Sequence, residues 1–207
     1  MTLAPEPIRS KPSFPIQASA IRATFSLMRV SGLLALAGLL AACGAAGSSE
    51  RLGSQPVDAD VMHELLTPDD IQDAGGDASR LRMEVEDVLA TADMINPRER
   101  ETLRSWHAMK VKQGNNNAVL IFTVVEFNSR DEARERLALI ESGLGFEPMD
   151  PPIGDGSSML AASSSTGLSF AKGFRVITIQ TTIGDLAEPI LDEAGVEQLA
   201  RIVENRL

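Results

Sequence analysis

Few residues of this chain could do chemistry, and one of them has a context that dictates its role. Cys43 is the sole cysteine among 207 residues. It follows Arg29, the apolar run from Val30 to Leu40, and the small pair Ala41-Ala42. A basic residue, a short apolar segment and small residues, in that order, form a secretory signal with Cys43 where cleavage would leave it first. One cysteine allows no internal disulfide, although the compartment permits them. Gly167-Leu168-Ser169-Phe170-Ala171 has the outline of a nucleophile elbow but ends in Ala where Gly is needed. It also falls in an expected β-hairpin rather than a strand–turn–helix, and His63 and His107 both precede Ser169, whereas that arrangement puts the histidine last. No catalytic residue is assigned. Two separated histidines and one cysteine do not make a zinc site. Asp69, Asp70, Asp73 and Asp77 lack the alternation and the fixed Gly and Glu of a calcium loop, and helix capping accounts for the first two. Gly154-Asp155-Gly156 has no following lysine and no helix behind it, so it reads as a turn rather than a phosphate loop. No metal and no cofactor is expected. His107 is expected to be a satisfied, largely buried histidine, His63 a solvated one, and Trp106 a packing residue of the core or sheet edge.

Leu40-Ala41-Ala42-Cys43-Gly44 resembles the lipobox of bacterial lipoproteins. That resemblance implies a thioether-linked diacylglycerol on Cys43, removal of residues 1–42, and an extracytoplasmic location anchored in the cell membrane or outer membrane. In a Gram-negative host, Gly44 in place of Asp favours the outer membrane. Met28 before Arg29 makes a compact signal by itself, so Met28 is the expected start. The rival is an uncleaved anchor: Val30 to Ser49 carries no charge, but its dense apolar part is only about 11 residues, too short to span. Residues 44–57, rich in Gly, Ala and Ser, read as a flexible tether, and residues 58–207 as a single domain.

Four of the 19 basic residues and one of the 29 acidic residues precede Cys43, so the chain from Cys43 onward carries a net charge of −13. Nucleic acid needs a basic footprint, which this balance does not supply. Anionic lipid head groups repel such a chain as a whole, leaving attachment to the tether.

The elements follow from periodicity and caps. Asp58 to Leu66 has helical spacing, with Val61, Leu65 and Met62 on one side. Thr67-Pro68-Asp69-Asp70 opens a second short helix that Gly75-Gly76 closes. Leu81 to Ala90 fits strand and helix alike. Asn96-Pro97 opens a helix through Arg104. His107, Met109 and Val111 alternate as a half-buried strand, and 118–127 is apolar on both alternating sides, as in a strand packed on each face. Ser129 to Glu132 is a capping box whose helix buries Ala133, Leu137 and Ile140 and ends at Gly143. Strands at 158–162, 168–172 and 174–183 form a meander with a Lys172-Gly173 turn. Asp192 caps a last helix whose Val196, Leu199, Ala200, Val203 and Leu207 share a side. The class is α+β: an antiparallel sheet of five or six strands with helices packed on its faces, after a signal segment and tether.

Within 105–207, the succession of the long apolar strand, Glu126-Phe127-Asn128-Ser129-Arg130-Asp131-Glu132-Ala133, a helix, Pro151-Pro152-Ile153-Gly154-Asp155-Gly156-Ser157, a hairpin and the helix Val196–Leu207 is similar to PsbP-like domains and small actinobacterial lipoproteins. The resemblance implies an antiparallel sheet with helices on both faces and an adaptor or binding role rather than catalysis. The expected function is a membrane-tethered, non-enzymatic binding or accessory module that meets other envelope proteins. The alternatives are a carrier of a small apolar ligand walled by 118–127, and a cell-surface hydrolase built on paired carboxylates.

Overall fold

The computed structural model describes residues 55–91, 97–114, 118–162, 164–182 and 188–207. Cys43 and the expected signal, Met28 and most of the tether lie outside these residues. In chain order the elements are α1 (Ala59–Leu65), α2 (Pro68–Asp73), β1 (Leu81–Asp87), α3 (Val88–Thr91), α4 (Pro97–Thr102), β2 (Leu103–Gln113), β3 (Val119–Phe127), α5 (Arg130–Leu144), β4 (Glu147–Pro148), β5 (Gly156–Ala162), β6 (Ser165–Lys172), β7 (Arg175–Thr182) and α6 (Glu193–Arg206). The strands form one antiparallel, seven-stranded sheet in the order β1-β2-β3-β7-β6-β5-β4. The α+β class holds, with the two-residue β4 as an edge that the periodicity did not separate.

Two meanders meet at β3 and β7, the centre of the sheet. Facing residues of paired strands project to the same side. The register therefore puts Met109 and Val111 of β2, Leu120, Phe122 and Val124 of β3, Leu168 and Phe170 of β6, and Ile177 and Ile179 of β7 on one face. These side chains form the main core with Val61, Met62 and Leu65 of α1, Ile71 of α2 and Val196, Leu199, Ala200 and Val203 of α6. These three helices turn their buried apolar residues to this face of the sheet.

Local chemistry fixes the helix starts. Asp58, Thr67, Ser129 and Asp192 each accept a backbone N–H three residues on. At α2 the box is complete, since the Asp70 carboxylate also accepts the Thr67 N–H at 2.8 Å. At α5, Glu132 N–H donates to Ser129 Oγ at 3.3 Å, while that hydroxyl donates to the Glu132 carboxylate at 3.1 Å. Ser129→Ala is expected to cost about 1 kcal/mol in urea unfolding; an unchanged midpoint would show that this cap does not bear on stability.

Several expectations shift. Leu81–Asp87 is a strand and Val88–Thr91 a helical turn, which resolves the mixed pattern of 81–90. α4 stops at Thr102 and β2 begins at once, because Leu103 already pairs with Phe127. α5 passes through Gly143 and ends at Gly145, whose φ of 73° is the left-handed cap that favours glycine. The β6–β7 turn is Gly173-Phe174, with Lys172 facing Arg175. The largest correction concerns β3. Leu120, Phe122 and Val124 are fully buried, but Val119, Ile121, Thr123 and Val125 on the other side are only half-buried. The helix on that side, α5, packs chiefly on β3, β5, β6 and β7.

Candidate functional site

α5 leaves part of its sheet face open. By register, the open part carries Arg82, Glu84 and Glu86 of β1, Lys110 and Lys112 of β2, Val119, Ile121 and Thr123 of β3, and Gln180 and Thr182 of β7. Its polar groups are partly knit together: Gln180 Nε2 donates to Ser165 Oγ at 3.2 Å, and Thr182 Oγ1 to Val119 O at 3.4 Å. Two aliphatic side chains, Val119 and Ile121, among hydroxyls, an amide and lysines make a flat, amphipathic surface rather than a reaction centre.

One corner of that face is basic. Arg82 stands directly opposite Lys112, and Glu84 opposite Lys110. Lys112 Nζ also reaches Glu84 Oε2 at 3.9 Å, with both side chains well exposed. Arg80, in the turn before β1, has φ 59°, a conformation that favours glycine. The Gly114 N–H donates to Arg80 O at 3.1 Å, and Arg80, Leu81, Arg82 and Gly114 line a surface recess. Asp77 is committed nearby: Ser79 donates to its carboxylate from N and Oγ, each at 2.8 Å. Those two bonds, helped by the Arg80 charge, hold the Asp77 carboxyl below its usual range.

A polar cluster lies at the opposite end of β2, on the core face. Arg175 and Glu126 are both nearly fully buried. Arg175 Nε donates to Glu126 Oε1 at 2.9 Å and Nη2 lies 2.8 Å from the same oxygen. Glu126 Oε2 accepts Ser105 Oγ at 2.7 Å and the Val57 N–H at 3.2 Å. Arg175 also donates to the Gln55 carbonyl. Phe174 is flanked by Arg104 and Arg175 at 5.2 and 5.3 Å from its ring centre. This end therefore grips Gln55 to Val57, the last residues of the stretch read as tether.

The residues considered for chemistry do not converge. Ser169 faces Thr178, Thr178 faces Thr123 and Thr123 faces Ala108, so Ser169 projects from the side of the sheet opposite to His107. The Ser169 hydroxyl shares a hydrogen bond of 2.9 Å with Thr178. His63 is exposed at the end of α1. His107 is buried as expected, but its Nδ1 has no hydrogen-bond partner among the described residues, so it is not the fully satisfied histidine the strand pattern suggested. Asp69 and Asp73 are exposed, while Asp70 is taken by Thr67 and Arg206. No group of three or more His, Cys, Asp or Glu among the described residues is placed to hold a metal ion. Trp106 is half-buried beside Leu103, Val125, Phe127 and the Arg136–Glu99 ion pair.

No protein-family model matches the chain, and no curated protein does. Among solved structures, the extracellular domain of PknH from Mycobacterium tuberculosis is similar. The TM-score is 0.46 with 10% identity, over 74% of this chain and 97% of that one. Strand order and register, not that similarity, define the fold described above. No helix among the described residues is long and apolar enough to cross a membrane.

Neither the basic corner nor the buried ion pair was singled out by motif. The signal for Glu126 was strand parity, since it shares the side of Leu120, Phe122 and Val124. The corner had no such signal, because it exists only once β1 is paired in register with β2.

Proposed function

We propose that the chain is an extracytoplasmic module of the cell envelope, anchored in the cell membrane or outer membrane through lipid on Cys43. It binds other envelope components on the open half of its sheet and performs no reaction of its own. The supporting observation is that half-covered face, with Ile121, Thr123, Gln180 and the lysines of β2 accessible at the centre of an otherwise well-packed sheet. A flat surface of mixed polarity on rigid strands suits recognition of a partner surface.

The tether is tested by the intact mass of the chain extracted from its native membrane. The expected species begins at Cys43 with acyl chains attached, and Cys43→Ser is expected to move the protein to the soluble fraction. A mass that retains residues before Cys43 would refute the processed form. The face is tested by photo-crosslinking in native membranes. A crosslinker at Thr123 is expected to capture the same partner repeatedly, while one at Leu139, on the exposed side of α5, captures none. Equal capture at both positions would remove the open face as the binding surface.

A further inference from the structure

We propose that the free edge of β1 pairs with β1 of a second copy of this chain, antiparallel and centred on Met83. The inference stands on backbone direction and side-chain pattern and does not depend on the binding reading above.

The two edges of the sheet differ. One is β4, only two residues long and ending in Pro148, which has no N–H to offer. The other is β1, seven residues without Pro or Gly, paired to β2 in an unbroken register. The Gly114 N–H donates to Arg80 O, so that carbonyl points to β2. A trans peptide aims the next N–H the opposite way, and bonding alternates along an antiparallel pair. Arg82, Glu84 and Glu86 therefore bond to β2, while the N–H and C=O of Leu81, Met83 and Val85 point outward. These outward groups have no hydrogen-bond partner among the described residues. The helical turn α3, which follows β1, packs back on β2.

The side chains favour a copy of the same strand. Leu81, Met83 and Val85 lie half-buried at the rim of the main core, and Arg82, Glu84 and Glu86 are exposed on the other face. A twofold axis perpendicular to the sheet keeps like faces on the same side. Centred on Met83, it sets Met83 against its own copy, Leu81 against the partner's Val85, and Arg82 against the partner's Glu84. The apolar pairs extend the core rim, the opposite charges meet on the outer face, and each outward N–H and C=O finds a main-chain acceptor or donor. A slip of one residue puts the charges on the apolar side. A slip of two residues sets either Glu84 or Arg82 against its own copy, and like charges so placed are destabilising.

Charged side chains ordinarily guard an edge strand against pairing. Those of β1 guard it against other strands and suit it to itself. Within the chain Arg82 faces a cation, Lys112, so a carboxylate arriving on its outer side relieves a repulsion. Glu84 meets Lys112 through Oε2 alone, at 3.9 Å with both side chains well exposed, which leaves its carboxylate able to accept a second cation. In the resulting dimer the two sheets become one, and the open parts of their faces adjoin on the same side.

The test is sedimentation velocity on the full chain, extracted in a neutral detergent, over a range of concentrations. One strand pair buries less than the roughly 1,200 Å² of a standard stable interface, so a reversible dimer that grows with concentration is expected. Arg82→Glu sets Glu against Glu and Glu84→Arg sets Arg against Arg, each twice in the dimer. Either variant alone is expected to dimerise about tenfold more weakly than the parent. Mixed in equal amounts, the two variants restore opposite charges at both positions and are expected to pair with each other as the parent pairs with itself. Arg82→Glu gains Lys112 as an opposite charge across β2, so its melting temperature is expected not to fall, which separates lost pairing from lost folding. A parent chain that stays monomeric up to about 0.2 mM overturns the proposal. So do variants that dimerise as the parent does, the pattern of association through shared detergent micelles. A mixture no more dimeric than its separate components overturns the register and the proposal with it.

Discussion

Arg175→Met is expected to lower the unfolding free energy by about 3–5 kcal/mol, the cost of leaving a buried carboxylate without its counter-charge. Glu126 accepts two contacts from Arg175 on Oε1, and without them keeps only Ser105 and the Val57 N–H on Oε2. The surroundings give no relief, because Glu126 and Arg175 sit at 3% and 1% exposure. The urea midpoint should fall with the slope unchanged. The companion variant Glu126→Leu/Arg175→Met removes both charges and is expected to regain most of the loss, since a buried pair is often replaced by apolar residues at little net cost. Both variants release the Gln55 carbonyl, so protease cleavage before Val57 should accelerate in both even where stability returns. A single variant within about 1 kcal/mol of the parent would show that water reaches Glu126 and that the pair is not a dry one.

Much of the fold is legible in the sequence because its determinants are local. Thr67, Ser129 and Asp192 cap their helices as their spacing indicates. The stripe Val196, Leu199, Ala200 and Val203 is buried as periodicity requires, and the alternation of Met109 and Val111 fixes which side of β2 meets the core. What fails is non-local. The apolar residues Val119, Ile121 and Val125 suggested a sheet covered on both faces. However, α5 has 15 residues and so is about 22 Å long and about 10 Å wide. Seven strands span about 29 Å across their hydrogen bonds, so one helix cannot cover them. The open face is thus a consequence of element count, which periodicity within a single strand does not carry. The facing of Arg82 and Lys112 is hidden for a related reason: it is set by register between segments some thirty residues apart. The buried pair Arg175–Glu126 joins strand ends 49 positions apart in the chain, and only strand parity hinted at either member.

The acid limb of stability is expected to depend on Asp70. Burial pushes its carboxyl up, but the bonds from Arg206 and Thr67 together outweigh that push and hold it below its ordinary 3.8. Arg206 grips it with both terminal nitrogens, at 2.6 Å to Oδ2 and 2.5 Å to Oδ1. The same guanidinium donates to the carbonyls of Glu64 and Leu65, so one side chain of α6 fastens the end of α1 and the start of α2. A carboxyl whose pKa is lower in the fold than in the unfolded chain contributes stability that is fully present above the unfolded value. That contribution is lost as pH falls through the folded one. Arg206→Ala is therefore expected to cost about 2–3 kcal/mol at neutral pH. The difference between the parent chain and Asp70→Asn should be constant above about pH 5 and shrink below about pH 4. Urea unfolding across that range decides it. A difference that stays level down to acid pH would mean the carboxylate gains nothing from Arg206 in the fold, and that α6 is held to the N-terminal helices by apolar packing and by the bonds of Arg206 and Gln198 to backbone carbonyls.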